Sequence, residues 1–126
     1  MTASDFLVKA RQAVTSAQLL LERKLLNCAA NRAYYALFHA ARAALIHRRQ
    51  SSAERRWAHD ALQAAFSKLL HADKRYPSHL KSYLITQLVV REMADYDSGM
   101  ISSRSADLAV RRAAEFVSTV ETVVAS

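Results

Sequence analysis

Apolar residues recur at intervals of three and four along most of the chain, the period of one face of an α-helix. Five helical segments follow from that period. The first runs from about Asp5 to Arg23, with Phe6, Ala10, Ala13, Val14, Ala17, Leu20 and Leu21 as its stripe and Ser4 as its expected N-cap. The second runs from about Asn27 to His47. The third runs from about Glu54 to Leu70, with Trp57, Ala58, Ala61, Leu62, Ala65, Phe66 and Leu69 facing inward. The fourth starts after Pro77, with Ser78 as cap, and reaches about Tyr96. The fifth opens near Ser102 or Ser103 and carries Ala106, Val110, Ala113, Val117, Val120 and Val124.

The links between segments are short and polar, which makes successive helices antiparallel neighbours. The expected fold is all-α, an antiparallel up-down helical bundle of four to five helices. No internal repeat, low-complexity tract or linker interrupts the chain, so residues 1–126 are read as one domain. Composition agrees with the pattern. There are twenty-four alanines but one Gly and one Pro, so helix formers abound and helix breakers are nearly absent.

Charge narrows the partners. Eighteen Lys and Arg against eleven Asp and Glu leave a net +7, which favours polyanions or acidic proteins. The single cysteine, Cys28, rules out an intrachain disulfide and a Cys-rich zinc site. The histidines show no metal-ligand spacing, and no phosphate-binding Gly-rich loop occurs, so no metal and no cofactor is expected. The opening residues lack a basic stretch followed by an apolar one, and no apolar run approaches the roughly twenty residues of a membrane span. A cytoplasmic protein without membrane association is expected.

Polar residues in apolar helices mark the candidate chemistry. In the second helix Tyr34, Leu37, Phe38, Ala41 and Leu45 share one face. Tyr35, His39, Ala43 and Ile46 lie within about 60° of Arg32, with Arg42 a little further round. A face mixing charge, aromatic rings and small residues suits a cleft or a protein contact. In the fourth helix Leu80, Leu84, Leu88 and Arg91 follow at spacings of four, four and three, so an arginine continues a leucine stripe. A guanidinium there needs partners, and Asp95, four residues on, is the nearest. The spacing predicts that Arg91, Asp95 and Tyr96 gather beside Asn31, Arg32, Tyr35 and His39. A purely structural Arg91–Asp95 ion pair is the alternative. Arg48, Arg49, Arg55 and Arg56 flank a serine-containing loop, either as a solvated surface or as a rim that attracts phosphate.

"NRAYYALFHAARAAL", then "HDALQAAF", then "REMADYD" and an alanine-rich last helix resemble the HEPN domain, in its small stand-alone prokaryotic form. The likeness covers about Phe6 to Val123. It implies a bundle of four or five helices that commonly dimerises, with the functional cleft near the dimer interface. Many such domains are metal-independent ribonucleases carrying Arg, four to six residues, then His. Some small members are toxins paired with a minimal nucleotidyltransferase. Others bind nucleotides or partners without cutting.

Arg91 matches the family arginine, and Tyr96 stands where the histidine is expected. Metal-independent RNA cleavage needs a group that moves a proton near neutral pH, which His does readily. Tyrosine, with an ordinary pKa of about 10, does not. Arg32 and His39 give a literal Arg, six residues, His on the early helix, one nearly whole turn-pair apart on the same face. Two functions remain open. One is a nucleotide- or RNA-binding module, partnered by a minimal nucleotidyltransferase in a toxin–antitoxin-like pair. The other is a metal-independent endoribonuclease using Arg91 with Tyr96 or His39. A homodimer is expected in both cases.

Overall fold

The computed structural model describes residues 1–96 and 100–126, and they form five helices with no strand among them. These are α1 (Ala3–Glu22), α2 (Leu26–His47), α3 (His59–Ala72), α4 (Leu80–Tyr96) and α5 (Ser103–Ala125). Asp97, the last residue of "REMADYD", and Gly99, the chain's one glycine, lie outside the described residues. The chain is the expected all-α bundle.

The cap of α1 is Thr2, not Ser4. The Thr2 hydroxyl accepts from the Asp5 amide at 3.2 Å, and the Asp5 carboxylate accepts from the Thr2 amide at 2.7 Å. This reciprocal box satisfies two amides at once, which Ser4 alone does not. The same bonds, from the Thr2 backbone first, hold the Asp5 carboxyl below the usual carboxylate range. With no glycine available, the turns after α1 and α2 place Lys24 (φ 62°) and Arg49 (φ 61°) in the left-handed region. Each costs about 1 kcal/mol relative to glycine.

The third helix begins five residues later than its periodicity predicts. Arg42 of α2 donates from Nη2 to the carbonyls of Ala53 and Arg55, at 3.2 and 3.1 Å. A helix through 54–58 would use those same carbonyls. The tertiary bonds take them: Ala53 and Glu54 form a turn in which the Arg55 amide donates to the Ser52 carbonyl at 3.3 Å, and the helix starts only at His59. Arg55 then stacks on Trp57, 3.7 Å from the ring centroid. The turn after α3 is closed by Asp73, which is 6% exposed and receives Arg75 at 2.7 Å and Arg48 at 3.5 Å. At α4 the first turn is drawn in by the carbonyls of Pro77 and Ser78, which accept from Leu80 and Lys81. Ser102 caps α5 by accepting from the Ser105 amide at 3.1 Å.

Helix α2 is the centre of the bundle, packed on by all four others. Its buried positions are Tyr34, Leu37, Leu45 and eight alanines, which let its neighbours approach closely. The expected mixed face of α2 is therefore largely enclosed: Ala43 is buried and Tyr35, His39 and Ile46 are partly so. Phe66 of α3 and Phe116 of α5, with ring centroids 5.2 Å apart, fill the other end of the core. The inward stripe of α4 is Leu80, Leu84, Gln87 and Ala94, not Leu80, Leu84 and Leu88, and Arg91 sits on its edge. Among the described residues no helix is long and apolar enough to cross a membrane.

Candidate functional site

Where α4 passes α2, the two arginines of the broken apolar patterns come together. Arg91 donates from Nε to Asp95 Oδ2 at 3.1 Å, the local ion pair its i,i+4 spacing allows. The same Asp95 oxygen accepts from Asn31 Nδ2 at 3.0 Å. Asn31 Oδ1 in turn accepts from Arg32 Nε and Nη2, at 3.2 and 3.0 Å. Asn31 is thus the neutral bridge that joins the two helices. Its amide supplies a donor to the carboxylate on one side and an acceptor to the guanidinium on the other.

Tyr35 lies between the arginines. The Arg32 guanidinium is 5.1 Å from its ring centroid and that of Arg91 is 5.3 Å away, both within cation–π range. Arg91 also lies 5.9 Å from the ring of Tyr34. Tyr34 is fully buried, and its hydroxyl is 2.6 Å from His59 Nδ1 at the start of α3. Burial pushes that hydroxyl pKa well above the usual tyrosine value, against the opposing pull of Arg91. Tyr34 is thus a packed support beneath the site.

The Arg91 side chain is only 13% exposed, whereas Arg32 is open to solvent. Arg91 is paired with the carboxylate of Asp95 and Arg32 with the neutral amide of Asn31, so these side chains together carry a net positive charge at neutral pH. Beside it opens a cleft of about 520 Å³, lined by Asn27, Cys28, Asn31, Arg32, Ala94 and Asp95 with Leu20 at its edge. Asn27 is held by a bond in which its Oδ1 accepts from the Ile101 amide at 3.2 Å. That bond fixes the approach of the segment before α5 to the mouth of α2. Among the described residues, no three His, Cys, Asp or Glu side chains converge as metal ligands would.

Five of the seven sequence-derived site residues are therefore neighbours: Asn31, Arg32, Tyr35, Arg91 and Asp95. The other two stand apart. Tyr96 is 75% exposed on the outer side of α4, five residues and about 140° round the helix from Arg91. His39 lies one turn beyond Tyr35, its ring 6.5 Å from that of Tyr35 but stacked at 6.2 Å on Phe6 of α1. Its Nδ1 is buried and has no hydrogen-bond partner. Burial, then Lys9, Arg42 and Arg32, bring its pKa down to about 4, so the ring is neutral at pH 7.

Sequence reasoning missed Gln87, which is 2% exposed one turn before Arg91 and whose Oε1 has no partner. The signal was present. Leu80, Leu84, Gln87, Arg91 and Ala94 follow at four, three, four and three, a closer fit to a helical stripe than the path through Leu88. It also missed the Tyr34–His59 bond, which no spacing reveals because the two residues meet only through the packing of α3 on α2.

Comparison with known proteins agrees with this architecture. The HEPN domain model matches residues 3–123. The UPF0332 protein glr0978 of Gloeobacter violaceus is 28% identical over 115 residues, which span 90% of this chain and 88% of that protein. With nearly its whole length matched by the family model, the chain belongs to the HEPN domain family.

Proposed function

We propose that the chain is a nucleotide- or RNA-binding HEPN module whose phosphate site is the cleft beside Arg32 and Arg91. One observation carries the reading. Two arginines from different helices converge on one tyrosine ring beside an open cleft, and only Arg91 is paired with a carboxylate, while Arg32 is held by the neutral Asn31. A fixed pair of guanidinium groups matches phosphate oxygens, and Tyr35 offers an aromatic ring beside them. Arg32→Ala and Arg91→Ala should each weaken binding of a short labelled RNA about tenfold, as read by fluorescence anisotropy. Each should also lower the salt slope of binding by about 0.7. If Arg91→Ala bound normally but melted much earlier, Arg91 would be a structural ion-pair residue and the reading would fail.

The outward face of α4 supports a homodimer. Ile85, Val89, Met93 and Tyr96 lie exposed on it at spacings of four, four and three. An exposed apolar stripe of this length suits a self-complementary two-fold contact. The family resemblance adds a minimal nucleotidyltransferase as protein partner, in a toxin–antitoxin-like pair. Co-purification with the product of a neighbouring nucleotidyltransferase reading frame would support that pairing.

A metal-independent endoribonuclease is the second reading, and His39 is the observation in its favour. A neutral imidazole with a free Nδ1 can accept a proton. It stands one turn beyond Tyr35 and two turns from Arg32, with its ring against Phe6, and Tyr96 faces away. The binding reading therefore expects no cleavage of RNA in the presence of EDTA. Cleavage that persisted in EDTA and disappeared in His39→Gln or Tyr96→Phe would replace it with the nuclease reading.

A further inference from the structure

A second groove lies between the basic 49–58 loop and α3, and its chemistry differs from that of the arginine cleft. It has a volume of about 440 Å³, within the range of about 300–1,000 Å³ typical of sites for small organic ligands. Ala61, Ala64, Ala65 and Lys68 of α3 line it together with Gln50, Arg55 and Trp57 of the loop. The alanines leave a shallow apolar bed. The indole is partly buried against the core, with the Arg55 guanidinium 3.7 Å from its ring centroid. The groove is held in place from below. Arg42 fixes the carbonyls of Ala53 and Arg55, and its own guanidinium rests 4.2 Å from the Phe6 ring. The loop is thus tied to the two best-packed helices rather than left to solvent.

Charge favours an anionic occupant. From Arg49 to Lys68 four Lys and Arg residues stand against two carboxylates, Glu54 and Asp60. An acidic peptide would satisfy the cations but would have no use for a flat apolar floor beside an indole and a guanidinium plane. A single-stranded nucleic acid uses all of them: a base stacks on the outer face of the Arg55 guanidinium, which the Trp57 indole backs, and a phosphate meets Lys68.

We infer that the groove between the 49–58 loop and α3 is a second contact for single-stranded RNA, with Trp57 and Arg55 as the stacking platform and Lys68 as a phosphate contact. The inference rests on the RNA-binding reading above, because it extends the same strand from one site to the other. Arg32, at the cleft, and Arg42, which holds the loop of the groove, are ten residues apart on α2, about 15 Å along its axis.

Trp57 is the chain's one tryptophan, so intrinsic fluorescence reports on this groove. The test titrates the full chain with an oligoadenylate of about ten nucleotides, within the usual span of single-strand sites. Tryptophan emission and anisotropy of a labelled copy of the strand are followed in parallel. Quenching that saturates together with the anisotropy is expected. Lys68→Ala, at an exposed position, should weaken binding several-fold and lower the salt slope by about 0.7. If RNA binds and Arg91→Ala weakens it, while Trp57 emission stays constant and Lys68→Ala binds as the wild type does, the groove inference is overturned and the arginine cleft stands. If Trp57 is quenched and Lys68→Ala weakens binding while the Arg32→Ala/Arg91→Ala double variant binds normally, the groove stands and the cleft reading fails. Quenching by a polyglutamate peptide but not by RNA would overturn the groove as an RNA site.

Discussion

Asp95 is the residue on which the arginine cluster turns, because one of its oxygens accepts from both Arg91 and Asn31. In a phosphate site that carboxylate competes with the ligand for Arg91. Asp95→Asn keeps the shape and removes the charge, so RNA affinity at low salt should rise about three- to tenfold. The same change should cost about 1–2 kcal/mol of stability in a denaturant titration, because Arg91 loses an ionic partner. His39 yields a pH prediction. Its folded pKa of about 4 is below the ordinary 6.5, so the unfolded chain binds the proton more readily. Stability from this group is full above about 6.5 and falls as pH drops toward 4, and Asp73, held near 2 chiefly by its hydrogen bond to Arg75, adds a loss below 3.8. Thermal melts from pH 4 to 7 should slope for the wild type and flatten over that window in His39→Gln. The arginine cluster was legible in the sequence because a charge in an apolar stripe has to find partners. The place of His39 was not, because a helical wheel shows its direction on α2 but not that Phe6 and Lys9 of α1 wait there.

Helix boundaries follow the same division between local and tertiary causes. The N-cap of α1 is a local matter, and Thr2→Ala should destabilise the protein by about 1 kcal/mol while Ser4→Ala changes little, as chemical denaturation would show. The start of α3 is tertiary. Residues 54–58 have a helical pattern, yet Arg42 claims their neighbouring carbonyls, so periodicity alone places the helix too early. Helix α4 carries a stripe on each side. The inner one, through Leu80, Leu84, Gln87 and Ala94, packs on α2, and the outer one ends at Tyr96. Among the described residues only the inner stripe has a covering element. Val89→Asp, at the centre of the outer stripe, should move the mass measured by light scattering from that of a dimer to the 14.1 kDa of one chain. A wild type that is monomeric at micromolar concentration would remove the basis for a dimer on this face.

At the scale of the whole molecule, the net charge of +7 is not spread evenly in its consequences. Several arginines are taken up by partners within the chain: Arg42 by loop carbonyls, and the partly exposed Arg75 and Arg11 by the carboxylates of Asp73 and Glu121. Composition could not separate these from the arginines without such partners, so the net charge alone does not locate the basic surface. If Arg32, Arg91, Arg55 and Lys68 each meet one phosphate, RNA affinity should fall about fifty-fold between about 50 and 200 mM salt. Anisotropy titrations at several salt concentrations measure that slope directly. The all-helical class was plain from the spacing of apolar residues and the scarcity of breakers. The central position of α2 was not, since its alanines read equally well as strong helix formers and as close contacts on every side.

Ala30 of α2 and Ala94 of α4 are both buried in the same small cluster with Ile101 and Ala106, and they flank Asn31 and Asp95 in sequence. They act as a ruler for the cleft. Their short side chains allow the 3.0 Å bond between Asn31 and Asp95, so the distance between the two arginines is set by residues with no chemistry of their own. A single added methyl or isopropyl group at either alanine would wedge the helices apart and spread the guanidinium pair, with every polar side chain still present. A random screen for lost RNA binding should therefore return alanine-to-valine changes at these two positions alongside the arginines themselves.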